Sequence, residues 1–138
     1  VQSCRLVHEL FDVAFSETST VVCGGFSQGG SLTLAAALSY EKRALEALIV
    51  ASGIALLGKS LLGDRYKTVQ DNVPIYIFHG KMDNIIQYQH AMNSYKDLLE
   101  ARGSTVQMFV EQNQRHEISQ SQYGKLVELI EKHCCSRS

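Results

Sequence analysis

The run LEALIVA at residues 45–51 constrains this chain more than any other feature. A strand with one face in water alternates polar and apolar residues. A run that stays apolar at nearly every position fits a strand buried on both faces, with helices packed above and below. At seven residues it falls far short of the roughly 20 that a membrane-crossing helix needs. PIYIF at 74–78 begins a second strand of this kind. Two more segments read as strands, the β-branched Thr20 to Gly24 and the alternating Thr105 to Glu111.

Helical spacing fills the intervals. Leu6, Val7, Leu10, Val13 and Ala14 predict an amphipathic helix over 3–15, and 31–40 reads as a helix of small residues. Ala91, Tyr95, Leu98 and Leu99 mark a helix over 87–102, with Gly103 suited to its C-terminal cap. Leu126, Val127, Leu129 and Ile130 mark a last helix over 119–133. Residues 54–73 carry two short apolar clusters without a clear period. Their leucines and Ile54 (Leu56, Leu57, Leu61, Leu62) read as core, with an apolar acyl groove as the alternative. One helix followed by strand–helix alternation implies parallel strands joined by right-handed crossovers, hence an α/β fold with a mainly parallel sheet flanked by helices.

Composition narrows the function classes. The 138 residues make one domain, 1–138, and the net charge is −1 with basic residues scattered. That leaves no footprint for nucleic acid. No transmembrane segment is present, and no basic-then-apolar leader follows Val1. Cys4, Cys23, Cys134 and Cys135 lack CxxC spacing and read as free thiols in a reducing compartment, which places the chain in the cytoplasm. Palmitate on Cys134 or Cys135 is the less economical reading, and the terminal CSRS is a poor prenylation signal. His8, His90 and His133 fall on helices with no ligand-spaced partners, so no metal and no cofactor are expected.

In such folds functional groups gather beyond the carboxyl ends of the strands. The first strand runs into GGFSQGG, the third into HGKMD, and the fourth into EQNQRHE. Ser27, Asp83 and His116 therefore all stand just past strand ends. Each has a bland reading by itself: a loose turn, a turn-forming Asp-Asn pair, a surface histidine. Their joint placement favours chemistry. A serine hydroxyl attacks well only when an imidazole takes its proton, and the imidazole needs a carboxylate to hold its tautomer. Gly25-Phe26-Ser27-Gln28-Gly29 has the GxSxG form of a strand-to-helix elbow. Side chains at Gly25 and Gly29 are expected to collide with backbone in so sharp a turn. His79 reads as structural support for the Asp83 loop.

GGFSQGG, PIYIFHGKMDNII and HEIS together resemble the acyl-protein thioesterase, lysophospholipase and carboxylesterase family of α/β-hydrolases. The resemblance implies Ser27 as acyl-accepting nucleophile, Asp83 as orienting acid, His116 as general base and the Gln28 amide as an oxyanion donor. It implies acyl ester or thioester substrates and no cofactor. Where the family usually has glycine before the histidine, this chain has Arg115. The elbow follows the family's fifth strand, so the chain resembles the C-terminal part of that fold, truncated before it. It would lack the N-terminal strands and the loop giving a second oxyanion hydrogen bond. An exposed first strand would then favour a homodimer. Two functions follow as expectations: a serine (thio)esterase, or a truncated, non-catalytic binding module.

Overall fold

The computed structural model describes residues 2–56 and 68–135. Its elements are α1 (Gln2–Glu17), β1 (Val22–Phe26), α2 (Gln28–Leu38), β2 (Ala47–Ala51), β3 (Ile75–Gly80), α3 (Tyr88–Arg102), β4 (Val106–Glu111) and α4 (Gln120–Ile130). The strands form one sheet in the order β1-β2-β3-β4, and every neighbouring pair is parallel. An α/β fold with a parallel sheet between helices is thus what the chain forms.

The two apolar runs become the two central strands because they alone can be buried on both sides. Leu48 and Val50 of β2 and Ile75 and Ile77 of β3 face a core shared with Phe11, Leu34, Leu38, Tyr95 and Leu98 of α1, α2 and α3. The intervening Ala47, Ile49, Ala51, Tyr76 and Phe78 face the opposite core, where Leu129 of α4 meets them. Successive residues of a strand point to opposite faces, so an uninterrupted apolar run fills two cores at once.

Two elements differ from the sequence reading in ways that packing explains. β1 runs two residues further than Thr20–Gly24, through the glycines to Phe26. Its close approach to β2 is the reason: a Cβ on Gly24 would lie 3.2 Å from that of Ile49. In α1 the inward stripe is Val7, Phe11 and Phe15, while Leu6, Leu10 and Val13 are exposed. Gly103 is the C-terminal cap of α3, as expected, with a right-handed φ of −54°, and the chain continues as a 3-10 turn.

The unassigned 54–73 stretch contributes a buried polar staple. Gln70 accepts from the Leu45 amide at 2.9 Å and donates to the carbonyls of Tyr40 (3.0 Å) and Arg43 (2.6 Å). Its own carbonyl accepts from Arg102 at 2.7 Å. Full pairing is what makes a wholly buried amide tolerable. Ile54 packs against the core and Leu56 is exposed; Leu57, Leu61 and Leu62 lie outside the described residues.

β1 is an edge strand among the described residues. Beside it, on the α4 face, lies an apolar cavity of about 450 Å³ lined by Val22, Phe26, Ile49, Ile118, Leu126 and Ile130, among others.

Candidate active site

The elbow forms as the GxSxG pattern predicts, for reasons that only partly match. The Ser27 amide donates to the Ala51 carbonyl at 2.7 Å, extending the β1–β2 ladder by one bond. There the chain reverses into α2 at φ 57°, ψ −121°, a left-handed conformation rare outside glycine. Such a residue costs on the order of 1–2 kcal/mol, and it lifts the side chain clear of both strand and helix. The Ser27 carbonyl then accepts the Gly30 and Ser31 amides at 3.0 and 3.2 Å, opening the helix.

Gly25 is obligatory. A Cβ there would sit 2.2 Å from the Gly29 carbonyl oxygen and 2.7 Å from the Gly30 nitrogen. Gly29 corrects the expectation: nothing lies within 4 Å of where its Cβ would be. Its backbone, not its missing side chain, fills the space beside Gly25. The tight positions are instead Gly30, 3.0 Å from the Gly25 carbonyl, and Gly53, 3.0 Å from the Ser27 carbonyl. Gly25→Ala should therefore cost about 1–3 kcal/mol through overpacking. Gly29→Ala should be neutral or stabilise by up to about 1 kcal/mol through helix propensity. Urea denaturation of the two variants checks the contrast; equal destabilisation would contradict it.

β3 delivers the acid. Its last residue, Gly80, accepts the Asp83 amide at 3.2 Å, making a tight turn that buries the Asp83 side chain completely. One carboxylate oxygen accepts the amides of Ile85 (2.9 Å) and Ile86 (2.8 Å), and the other accepts His116 Nδ1 at 2.7 Å. His79 supports this loop as expected, donating Nε2–H to the Ile86 carbonyl at 2.8 Å. Burial pushes the Asp83 pKa up, but the bonds from His116, Ile86 and Ile85 outweigh it, and the net shift is below the ordinary 3.8. The folded value lies under the unfolded one. This group's stabilisation is therefore complete above pH 3.8 and is lost as pH falls through the lower folded value. Acid titration followed by circular dichroism should show that loss only below about pH 4. In Asp83→Asn the corresponding component should vanish.

His116 completes the cluster. With the proton on Nδ1 directed at Asp83, Nε2 is free to accept from Ser27 Oγ, 2.9 Å away. The Phe26 ring lies against the imidazole, centroids 5.0 Å apart. The structure thus brings Ser27, Asp83 and His116 into one hydrogen-bonded line from β1, β3 and β4. Gln28 is the first residue of α2, where amides have no intrahelical acceptor and the helix end favours negative charge. Such an arrangement can pass a proton from hydroxyl to imidazole while a buried carboxylate stabilises the imidazolium. Among the described residues no group of three or more His, Cys, Asp or Glu side chains is placed to hold a metal ion.

Sequence reasoning passed over Gly80 and Gln114. A Cβ on Gly80 would lie 2.2 Å from the Gln114 carbonyl oxygen, so this glycine lets the histidine loop settle on the aspartate loop. The glycine of HGKMD was the available signal. Gln114, one polar residue in a polar run, gave none.

A parallel sheet with a strained Ser elbow and with Asp and His at later strand ends is the α/β-hydrolase fold. The chain matches the phospholipase/carboxylesterase family over residues 2–134 and belongs to it. It is 29% identical over 136 residues to acyl-protein thioesterase 1 homolog 2 of Dictyostelium discoideum, covering 96% of this chain and 60% of that protein. The crystal structure of Arabidopsis thaliana SOBER1 superposes with a TM-score of 0.81 at 26% identity, covering 94% of this chain and 62% of that one. Zea mays acyl-protein thioesterase 2 has the same fold at a TM-score of 0.81, with 18% identity and the same shares covered. The chain therefore spans about three-fifths of the length of these relatives. No helix among the described residues is long and apolar enough to cross a membrane.

Proposed function

We propose that this chain carries the acyl-transfer centre of a serine hydrolase that cleaves ester or thioester bonds of acyl groups through a Ser27–His116–Asp83 triad. The observation carrying this reading is the continuous hydrogen-bonded line Asp83–His116–Ser27, at 2.7 and 2.9 Å, ending at a hydroxyl on a strained elbow. Ser27 Oγ attacks the acyl carbonyl while His116 Nε2 takes its proton. Asp83 stabilises the imidazolium and keeps Nδ1 protonated. The carbonyl oxygen, now carrying negative charge, takes a hydrogen bond from the Gln28 amide at the positive end of α2. His116 then returns the proton to the leaving alcohol or thiol, and the acyl group stays on Ser27. Water, deprotonated by the same imidazole, releases the acid and restores the hydroxyl. No cofactor enters these steps.

Family membership and the thioesterase among the relatives point to acyl esters and thioesters as the substrate class. Reaction of the chain with a fluorophosphonate tests the centre without presupposing a substrate. Labelling on Ser27 supports the reading. Failure of folded protein to label would favour the alternative, a non-catalytic module of the same fold.

A further inference from the structure

The loop that presents His116 is polar and open, yet one of its side chains is buried. From Gln112 to Glu117 the residues are exposed or half-exposed except Gln114, which is 3% exposed. Its burial follows from three attachments. The Gln114 backbone lies in the gap that Gly80 leaves. Its carbonyl accepts the Met82 amide at 2.9 Å, tying the histidine loop to the turn that holds Asp83. Its carboxamide Nε2–H donates to the Glu117 carbonyl at 2.5 Å, closing a ring of backbone and side chain around Arg115 and His116. Ser52, itself buried at a left-handed φ of 53° past the end of β2, reaches the same carbonyl from below at 3.4 Å.

We propose that Gln114 is a positioning residue for His116, setting the imidazole between Asp83 and Ser27 from outside the reacting atoms. The inference rests on the serine-hydrolase reading and adds a residue to it. Arg115 and Glu117, the neighbours of His116, are both exposed, so packing of the adjacent side chains does not hold the ring. Contacts to His116 come from Asp83, Ser27 and the Phe26 ring, each of which constrains it only once the backbone has brought it into place. Gln114 sets that backbone. A displacement of the reacting groups by about 1 Å can cost on the order of 100-fold in rate.

Gln114→Met separates positioning from folding. Methionine fills a similar volume and leaves the backbone bond to Met82 in place, but it cannot donate to Glu117. It also removes the buried Gln114 Oε1, which has no hydrogen-bond partner among the described residues. Loss of a bond and loss of an orphan acceptor offset one another, so the melting temperature should change little. The expected result is a fall in kcat of about 10- to 100-fold on a short-chain ester, with KM within about twofold. The low-field proton resonance of His116 Nδ1–H, shared with Asp83, should broaden or disappear. Gln114→Asn, with its amide one methylene too short to reach, should behave alike.

Unchanged kcat together with an unchanged resonance in both variants would overturn the proposal. The resonance also reads the geometry when no turnover is measured. If the unmodified chain fails to label but shows the resonance and the variants lose it, the hydrolase reading falls and the positioning role stands. If Ser27→Ala abolishes labelling while Gln114→Met labels at the parent rate with the resonance intact, the reading stands and the positioning role falls.

Discussion

Ser27→Ala should label with a fluorophosphonate at background level and lose ester hydrolysis by about 10³-fold or more, with its fold unchanged. Removing the nucleophile alone has cost on the order of 10⁶-fold in a serine protease, about as much as removing the whole triad. The two buried serines offer no substitute. Ser31 Oγ accepts the Ile54 amide at 3.0 Å and Ser52 Oγ reaches the Glu117 carbonyl, so both are committed to structure. Alanine keeps the Cβ that makes φ 57° unfavourable, so the elbow's strain persists and stability should stay within about 1 kcal/mol. Ser27→Gly adds a second measurement. Glycine takes this backbone conformation without penalty, so the inactive glycine variant should be more stable than the parent by about 1 kcal/mol. A protein that gains stability on losing the Ser27 Cβ holds that residue under strain for function. If Ser27→Ala labelled like the parent, the probe would be reacting elsewhere and the proposed centre would be lost.

Much of this architecture is legible in the sequence because a parallel sheet writes its burial into composition. ALIVA of β2 and IYIF of β3 are apolar throughout, and they belong to the strands covered on both faces. The candidate residues are legible because they follow the ends of β1, β3 and β4, where the topology collects them. What escaped the sequence depends on what lies opposite in space. Leu6, Leu10 and Val13 of α1 have the same period as Val7, Phe11 and Phe15, and only packing against α2 and the sheet selects the second stripe. Gly25 and Gly29 look equivalent in the motif, yet only Gly25 faces backbone at 2.2 Å. Gln114 is the same residue type as exposed Gln112 and differs from it in its partner, the bare Cα of Gly80 some 34 residues earlier in the chain. Periodicity finds faces and strand ends. It does not find close approaches between loops.

Asp83→Asn should lower kcat by on the order of 10⁴-fold while leaving the fold and KM nearly as they are. The substitution keeps the shape of the side chain, and Asn Oδ1 can still accept the Ile85 and Ile86 amides that pin the turn. What changes is the second position, 2.7 Å from His116 Nδ1, where an amide NH₂ replaces an acceptor. Two N–H groups cannot face each other, so the imidazole must present a bare Nδ1 and carry its proton on Nε2. In that tautomer Nε2 points a hydrogen at Ser27 Oγ and can no longer take one from it. His79 offers no remedy: its Nε2 lies 3.6 Å from the same Asp83 oxygen and is already bonded to the Ile86 carbonyl at 2.8 Å. The loss should therefore appear in probe labelling rate and kcat alike, with melting temperature close to the parent's. Asp83→Ala removes the turn's acceptor as well and should lose stability in addition to rate. The pair of variants separates the two duties of one carboxylate: holding residues 83–86 in their turn, and keeping the proton of His116 on the side away from serine. Full activity in Asp83→Asn would mean that His116 holds its working tautomer without Asp83, and the triad would reduce to a dyad.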